Sequence, residues 1–423
     1  MTSIEKIHSL DKFGSRPGLD RISKFLDILG NPQDKLKFIH VAGTNGKGSV
    51  CRLLSSILTD AGYRTGLFIS PYIVDFRERI QINNELVSEK TLEEAVKKTF
   101  PIVEKLREDG CVITEFEYVM ALEFLIHSEA ECDVVVLETG MGGLLDCTNV
   151  IKPPLCTVLT RIGLDHTAVL GDTIEEIAEQ KCGIIKSGSV VVTSPQRAEA
   201  LSVIQKTCRE KSVPLIQSES LDIKVESESI SGTSLSCNGM SLTLNLLGNH
   251  QVENAKTALA AIEVVKQSFE ISDTNIKNGF LNTTNPARFE LLSRAPYIIL
   301  DGAHNPDGIS ALRDALKKYF DNKNAVLILG MLSDKDSKNS VRILKGLFDA
   351  VYTVPVNNPR TLSAEDLALE CEEYFDDVKV FDNVFDAFDK AYELCRSGDK
   401  ALVIAGSLYL AGEIRPYIIS KTK

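Results

Sequence analysis

The run Gly43-Thr44-Asn45-Gly46-Lys47-Gly48-Ser49 has the composition of a polyphosphate cradle. Its glycines let backbone N–H groups crowd one anion, its lysine adds a full positive charge, and its serine hydroxyl can reach Mg²⁺. Lys37 to Ala42, before it, reads as a short buried strand. Val50 to Ala61, after it, carries Val50, Leu53, Leu54, Ile57 and Leu58 at helical spacing. The helix N-terminus adds a partial positive charge. Two residues separate Gly43 from Gly46-Lys47, where the common phosphate loop has four. A purely structural turn needs no lysine followed by Gly-Ser at a helix start. The loop points to a nucleotide and leaves the reaction open.

Mg²⁺ accompanies nucleoside triphosphates and takes oxygen ligands with few protein contacts. The carboxyl edge of a parallel sheet, beside the phosphate loop, is where they belong. Val136-Leu137-Glu138-Thr139-Gly140-Met141-Gly142-Gly143 ends an apolar strand with a carboxylate and a flexible turn. Glu138 could be a solvated strand end, but the glycines behind it favour close approach to a ligand. Thr160-Arg161-Ile162-Gly163-Leu164-Asp165-His166 places an Asp-His pair just after another strand. A lone histidine is more often structural; the position of His166 beyond a strand end favours function. Lys181, in Glu179-Gln180-Lys181-Cys182-Gly183, reads by itself as a charge at a helix C-terminus.

Alternating strands and helices must position these groups. Tyr63 to Ile69, Asp133 to Leu137, Leu155 to Leu159 and Ser189 to Val192 read as strands; Thr91 to Leu106 and Phe116 to Ile126 read as helices. Unbroken apolar strands such as Val134-Val135-Val136 fit a mostly parallel sheet covered on both faces. From Leu221 to Leu247, short Ser-rich alternating segments predict a small antiparallel sheet, and His250 to Val265 is helical again. Leu281 to Arg288 lacks periodicity and contains Asn285-Pro286, which places a domain boundary near 290–296. Strand–helix alternation restarts with Tyr297 to Leu300, Ile309 to Tyr319, Ala325 to Leu329, Val351 to Val354 and Leu402 to Ala405. The expected fold class is α/β. An N-terminal P-loop ATPase domain over 1–292, a mostly parallel sheet plus the small antiparallel one, precedes a smaller Rossmann-like α/β domain over 293–423.

Composition fits two globular domains: 423 residues, 43% hydrophobic and 25% charged. A net charge of −12 without a basic run argues against nucleic acid as a partner. No signal peptide and no stretch of membrane-spanning length is visible. The ten cysteines are scattered, with no C-x-x-C pair. Free thiols in the cytoplasm are therefore expected, and no membrane.

These motifs together resemble the folylpolyglutamate synthase and dihydrofolate synthase family, of the Mur ligase superfamily of ATP-dependent amide-forming ligases. The resemblance runs through Gly18-Leu19-Asp20-Arg21-Ile22, His40 to Ser49, Ser70-Pro71, Glu78-Arg79-Ile80 and Phe116-Glu117. It continues in Gly142-Gly143, Leu145-Asp146, Thr148-Asn149, Gly163 to His166 and Lys181 with Gly183 to Lys186. Gly248, His250-Gln251, Asn254-Ala255, Leu300 to Pro306, Asp334-Lys335-Asp336 and Gly406 to Leu410 complete it. Four of the six histidines fall within these motifs.

The resemblance implies roles. Gly43 to Ser49 hold ATP, with Lys47 on the phosphates. Ser49, Ser70, Glu138 and His166 are Mg²⁺ ligands at two sites, with K⁺ a further candidate cation. Lys181 matches a carbamylated lysine, which turns a cation into an anion near the metals. Asn254, Arg288 and Asp301 contact adenosine. His304 and Ser407 hold the incoming L-glutamate. Asp146 and Tyr409 fall at positions linked to activity, as do Lys47, Lys181 and His166. Arg16 and Tyr72 are candidate contacts to the folate or dihydropteroate substrate. A monomer is the default. The implied reaction passes through an acyl phosphate, shielded from water by domain closure.

Three residues depart from the family pattern: Tyr72 where histidine is frequent, Leu144 where arginine is usual, and Ala287 where glycine is common in the linker. They bear on the substrate contacts, on a positive charge near the site and on linker stiffness. Two other readings stand beside an active folate ligase. One is a degenerate nucleotide-binding relative without ligase activity; the other is a Mur-type ligase with a different carboxylate acceptor.

Overall fold

A computed structural model of the chain describes residues 1–10, 18–320, 325–398 and 400–422. These form two compact units. The first is Met1–Val225 with Leu235–Thr243 and Glu253–Thr283; the second is Glu226–Ser234 with Leu244–Val252 and Thr284–Lys423.

The large sheet contains β1 (Phe38–Ala42), β2 (Thr65–Phe68), β3 (Ile80–Ile82), β4 (Glu85–Leu86), β5 (Val134–Glu138), β6 (Cys156–Leu159), β7 (Val190–Thr193) and β8 (Leu215–Gln217). Their order is β4-β3-β2-β5-β1-β6-β7-β8. β2, β5, β1, β6, β7 and β8 run parallel, and β3 alone runs against them, pairing antiparallel with both β2 and β4. β1 and β5 are buried along their whole length, as unbroken apolar strands are when helices cover both faces. The chain leaves β1 through the helix Lys47–Asp60 and re-enters the sheet at β2, beyond β5; after β5 it crosses to β6, on the other side of β1. This reversal opens a crevice at the carboxyl ends of β1, β5 and β6. Register brings those ends level: Val41 pairs Glu138 and Ala42 pairs Leu159.

The Ser-rich stretch forms the expected small sheet, β9 (Ile223–Ser229), β10 (Gly232–Cys237) and β11 (Met240–Leu244), in the order β11-β10-β9. Its two-residue links allow only antiparallel pairing. In one link Asn238 and Gly239 both have positive φ, 49° and 82°, as a type I′ hairpin turn requires.

The second unit carries β12 (Glu290–Arg294), β13 (Tyr297–Leu300), β14 (Ala325–Leu329), β15 (Ala350–Thr353), β16 (Val378–Val380) and β17 (Ala401–Ala405), in the order β12-β13-β17-β14-β15-β16. All neighbours are parallel except β12 with β13. Ile299, Leu327, Val351 and Val403 anchor its apolar core.

Several elements escape the periodicity argument. A helix occupies Asp273–Asn282, and 290–294, within the stretch that reads as a boundary, is strand β12. The last of the chain's changes of unit falls between Thr283 and Thr284. The ten cysteines are all free, in line with expectation. No helix among the described residues is long and apolar enough to cross a membrane.

Candidate active site

Glycine at two points of the phosphate loop is enforced by its neighbours. A Cβ on Gly43 would lie 1.8 Å from Thr160 Oγ1. Gly46 has φ +93°, and a Cβ there would lie 2.3 Å from Asn254 Oδ1. The loop also leans on the segment after β6. The Thr44 and Asn45 N–H groups both donate to the Arg161 carbonyl, at 2.9 and 3.2 Å. Thr44 Oγ1 donates to the Gly163 carbonyl and accepts from the Gly163 N–H, both at 3.0 Å. Lys47 folds back, its Nζ donating to the carbonyls of Gly43 (3.1 Å) and Thr44 (3.3 Å). Ser49, in the first turn of the helix Lys47–Asp60, is buried.

Glu138 ends β5 buried rather than solvated, and its Oε2 accepts from the Ser70 N–H at 3.2 Å. It lies beside the helix start, since a Cβ on Gly48 would be 3.7 Å from the same Oε2. Ser49, Ser70 and Glu138 are thus oxygen donors carried by neighbouring segments, the hard donor type Mg²⁺ takes. His166 is a nitrogen donor, half-exposed, in left-handed backbone (φ +52°), with its Nε2 3.9 Å from Asp165 Oδ2. Among the described residues, no group of three or more His, Cys, Asp and Glu could hold a metal ion. A cation here would rest on the oxygens, on phosphate and on water.

Lys181 is no surface charge. It is buried near the end of the helix Ile174–Cys182, and its Nζ donates to the Gly43 carbonyl at 2.8 Å. Burial, reinforced by the Lys47 ammonium, pulls it down to about 7, against the pull of Asp165 and Asp146. Asp146 is buried too. Its Oδ2 accepts from the Met141 N–H, and its Oδ1 accepts from the N–H and hydroxyl of Thr148. Burial raises its pKa, and these donors oppose the rise. The glycines after Glu138 allow tight packing: a Cβ on Gly140 would lie 2.4 Å from Phe116 Cζ, and one on Gly143 would lie 2.9 Å from the Lys181 carbonyl.

The second unit gathers its own candidates at one sheet edge. Asp301 follows β13, and its carboxylate accepts from the N–H groups of Phe289 and Ala303, both at 2.7 Å. Burial raises its pKa, opposed first by Arg288. His304 follows on the same loop, its Nδ1–H donating to the Gly302 carbonyl at 2.7 Å. Ser407 lies just beyond β17, beside β13, and its Oγ accepts from the N–H of Tyr409, whose side chain is exposed. The Gly406 N–H donates to the Ala303 carbonyl, which ties the two loops together.

Arg16 lies outside the described residues. Tyr72 packs edge-on against Phe76, with the Arg79 guanidinium 5.2 Å from its ring centre. Leu144 is exposed. Ala287 has φ +55°, a conformation that favours glycine, so the departure at this position bears on backbone strain as well as stiffness. Gln196, which holds both flanks of Arg161, carries no sequence signal, because the groups it holds there are backbone atoms 34 and 36 residues away.

Residues 112–262 match the Mur ligase middle domain, and residues 287–408 the Mur ligase glutamate ligase domain. A dihydrofolate synthase/folylpolyglutamate synthase of Bacillus subtilis is 36% identical over 419 residues, covering 97% of this chain and 96% of that protein. The crystal structure of a folylpolyglutamate synthase from Thermotoga maritima superposes with a TM-score of 0.87 at 35% identity, covering 99% of this chain and 96% of the other. A Mycobacterium tuberculosis folylpolyglutamate synthase complexed with ADP gives 0.91 at 32% identity, covering 98% and 99%. With this agreement along nearly its whole length, the chain belongs to the dihydrofolate synthase/folylpolyglutamate synthase family of Mur ligases.

Proposed function

We propose that the protein is an ATP-dependent ligase that joins the amino group of L-glutamate to a carboxylate of a folate, of dihydropteroate, or of both. The observation that carries this reading is the convergence of Lys47, Lys181 and Glu138 on a glycine-built phosphate loop. It is supported by family membership over both units.

In this reading residues 1–292 form the nucleotide-binding domain and 293–423 the glutamate-ligase domain. Gly43 to Ser49 cradle the ATP phosphates, and Lys47 leaves its carbonyl partners to meet them. Asn254, Arg288 and Asp301 serve adenosine; His304 and Ser407 serve L-glutamate; Tyr72 serves the acceptor side; Asp146 and Tyr409 serve the transfer itself. Ser49, Ser70 and Glu138 supply oxygen donors for Mg²⁺, with His166 at the margin. Mg²⁺, when bound, offsets charge on the phosphoryl group in transfer.

The acceptor carboxylate attacks the γ-phosphorus of ATP, ADP leaves, and an acyl phosphate results. The glutamate amine then attacks the acyl carbon, loses a proton, and phosphate leaves. Lys181, held near 7 by burial, is a candidate for carbamylation, which would place an anion beside Lys47. The ten free thiols accord with a cytoplasmic enzyme, which we take to be a monomer.

Mass spectrometry of products tests the reading. Purified protein receives ATP, Mg²⁺ and L-glutamate, with dihydropteroate and tetrahydrofolate in separate reactions. A glutamate-sized gain with both acceptors is a bifunctional synthase, and a gain with one alone assigns the activity. ADP binding with no gain on either acceptor overturns the folate-ligase reading.

A further inference from the structure

We propose that Gln196 is a positioning residue for the nucleotide phosphates, acting through the backbone carbonyl of Arg161. The inference rests on the nucleotide part of the reading above. Backbone pairing between β6 and β7 ends at Leu159 with Thr193. Beyond that point the Gln196 side-chain amide continues the ladder. Its Nε2 donates to the Thr160 carbonyl at 3.0 Å, and its Oε1 accepts from the Ile162 N–H at 3.0 Å. These groups flank Arg161 on both sides. The second Nε2 hydrogen goes to Thr193 Oγ1 at 3.1 Å. The amide orientation is therefore fixed, because a flipped amide would set N–H against N–H and oxygen against oxygen.

Bracketed in this way, Arg161 turns its carbonyl to the other side, toward the phosphate loop. There it receives the Thr44 and Asn45 N–H groups. The reciprocal Thr44–Gly163 bonds close the same contact two residues on. A phosphate loop binds by the direction of its N–H groups, so what orients the loop sets the affinity. The hydrogen bonds of Gln196 go to the strand end on which the loop hangs and to Thr193 beside it, not to the loop itself. The same segment leads into Asp165 and His166, which couples the loop to that end of the site.

Two substitutions separate positioning from charge. Gln196→Met removes the bracket without adding charge; Gln196→Glu sets an acceptor against the Thr160 carbonyl. ADP affinity is measured by calorimetry, and KM for ATP and for L-glutamate by steady-state kinetics. Both variants are expected to weaken ADP binding and raise KM for ATP about tenfold or more. KM for L-glutamate should stay within about twofold, and nucleotide-free thermal unfolding should move by only a few degrees. If Gln196→Met gives no folded protein, Gln196→Asn, one methylene shorter, should show the same split.

A nucleotide affinity within about twofold of the parent in Gln196→Met overturns the proposal, as does an effect seen in Gln196→Glu alone. Equal losses toward ATP and glutamate with a falling melting point also overturn it, since they mark general destabilisation. ADP binding is read without turnover, so a parent protein that binds ADP but makes no glutamyl product defeats the ligase reading and leaves this test intact.

Discussion

Lys47 and Lys181 share one acceptor: both ammonium groups donate to the Gly43 carbonyl, at 3.1 and 2.8 Å. Lys181 reaches it from the buried face of the helix Ile174–Cys182, and burial with the neighbouring Lys47 charge pulls it to about 7. About half of its amine is then neutral at pH 7, against fewer than about one in a thousand for an ordinary lysine. Only the neutral amine adds CO₂, and adding it replaces a cation by an anion beside Lys47. A ¹³C-bicarbonate NMR experiment should show a carbamate that grows from pH 6 to 8 and is lost in Lys181→Gln. No carbamate at pH 8 under saturating bicarbonate would sink the assignment. Stability should move in a set direction as well. The folded pKa lies below the unfolded one, so the folded state holds fewer protons between about 7 and 10.5. The bare lysine therefore makes the protein more stable as pH rises through that window.

Gly46 should tolerate no side chain. Its φ of +93° disfavours any L-residue, and a Cβ would meet Asn254 Oδ1 at 2.3 Å. The left-handed backbone alone costs about 1–2 kcal/mol. Gly46→Ala should weaken nucleotide binding about tenfold or more. Asn254→Ala in the same chain removes the clash but not the backbone strain, and it also deletes a proposed adenosine contact, so the rescue is read on thermal stability: the double variant should recover only part of the melting point lost in Gly46→Ala. Full recovery of the melting point would show that contact alone keeps the position glycine.

The phosphate loop and the apolar strands were legible in the sequence because their signals are local. Lys47 must sit where glycines and a helix start meet, and Val134-Val135-Val136 must be covered on both faces. β12 was not legible: Glu290, Ser293 and Arg294 make a polar edge strand without clean alternation. Lys181 was legible only through family resemblance, since its burial depends on the helix Ile174–Cys182 lying over the Gly43 carbonyl. Gln196 was hidden for a related reason, as the groups it holds beside Arg161 are the carbonyl of Thr160 and the N–H of Ile162. Backbone partners leave no residue-type signature.

Glu78 clamps the loop that carries Tyr72. Its carboxylate accepts three N–H groups, from Ile73 at 2.8 Å, Val74 at 2.9 Å and Asp75 at 3.0 Å. Bonds of this charge-assisted kind are worth about 1.5–3 kcal/mol each when buried and less where water can replace the acceptor, as at exposed Val74. Glu78→Ala should raise KM for the folate-type substrate severalfold and leave ADP affinity unchanged. Glu78→Gln, which keeps one acceptor oxygen, should fall between. Equal effects on both ligands would mean that the loop matters to the whole unit, not to the acceptor side.

His40, Thr148 and Asp146 form a buried chain whose proton positions follow from counting. Thr148 has one hydroxyl proton, and the 2.6 Å contact gives it to Asp146 Oδ1. The 2.8 Å contact to His40 Nε2 must then be donated by the histidine, which fixes its Nε2–H tautomer. Thr148→Val keeps the shape and removes the hydroxyl, leaving a buried N–H and a buried carboxylate oxygen short of partners. The cost should be about 2–4 kcal/mol, and Thr148→Ser should recover most of it. Burial, with Lys186 adding to it, holds His40 down to about 3, against 6.5 in the unfolded chain. Between those values the unfolded chain takes up a proton that the folded one refuses. His40 thus makes stability fall as pH drops from about 6.5 to 3, by up to about 1.4 kcal/mol per pH unit. Denaturant unfolding from pH 7 down to 4 should show a slope shallower by one proton in His40→Gln, a variant that can still donate to Thr148. The same slope in both proteins would mean that His40 takes up its proton in the folded chain as well, and that the chain leaves room for an imidazolium.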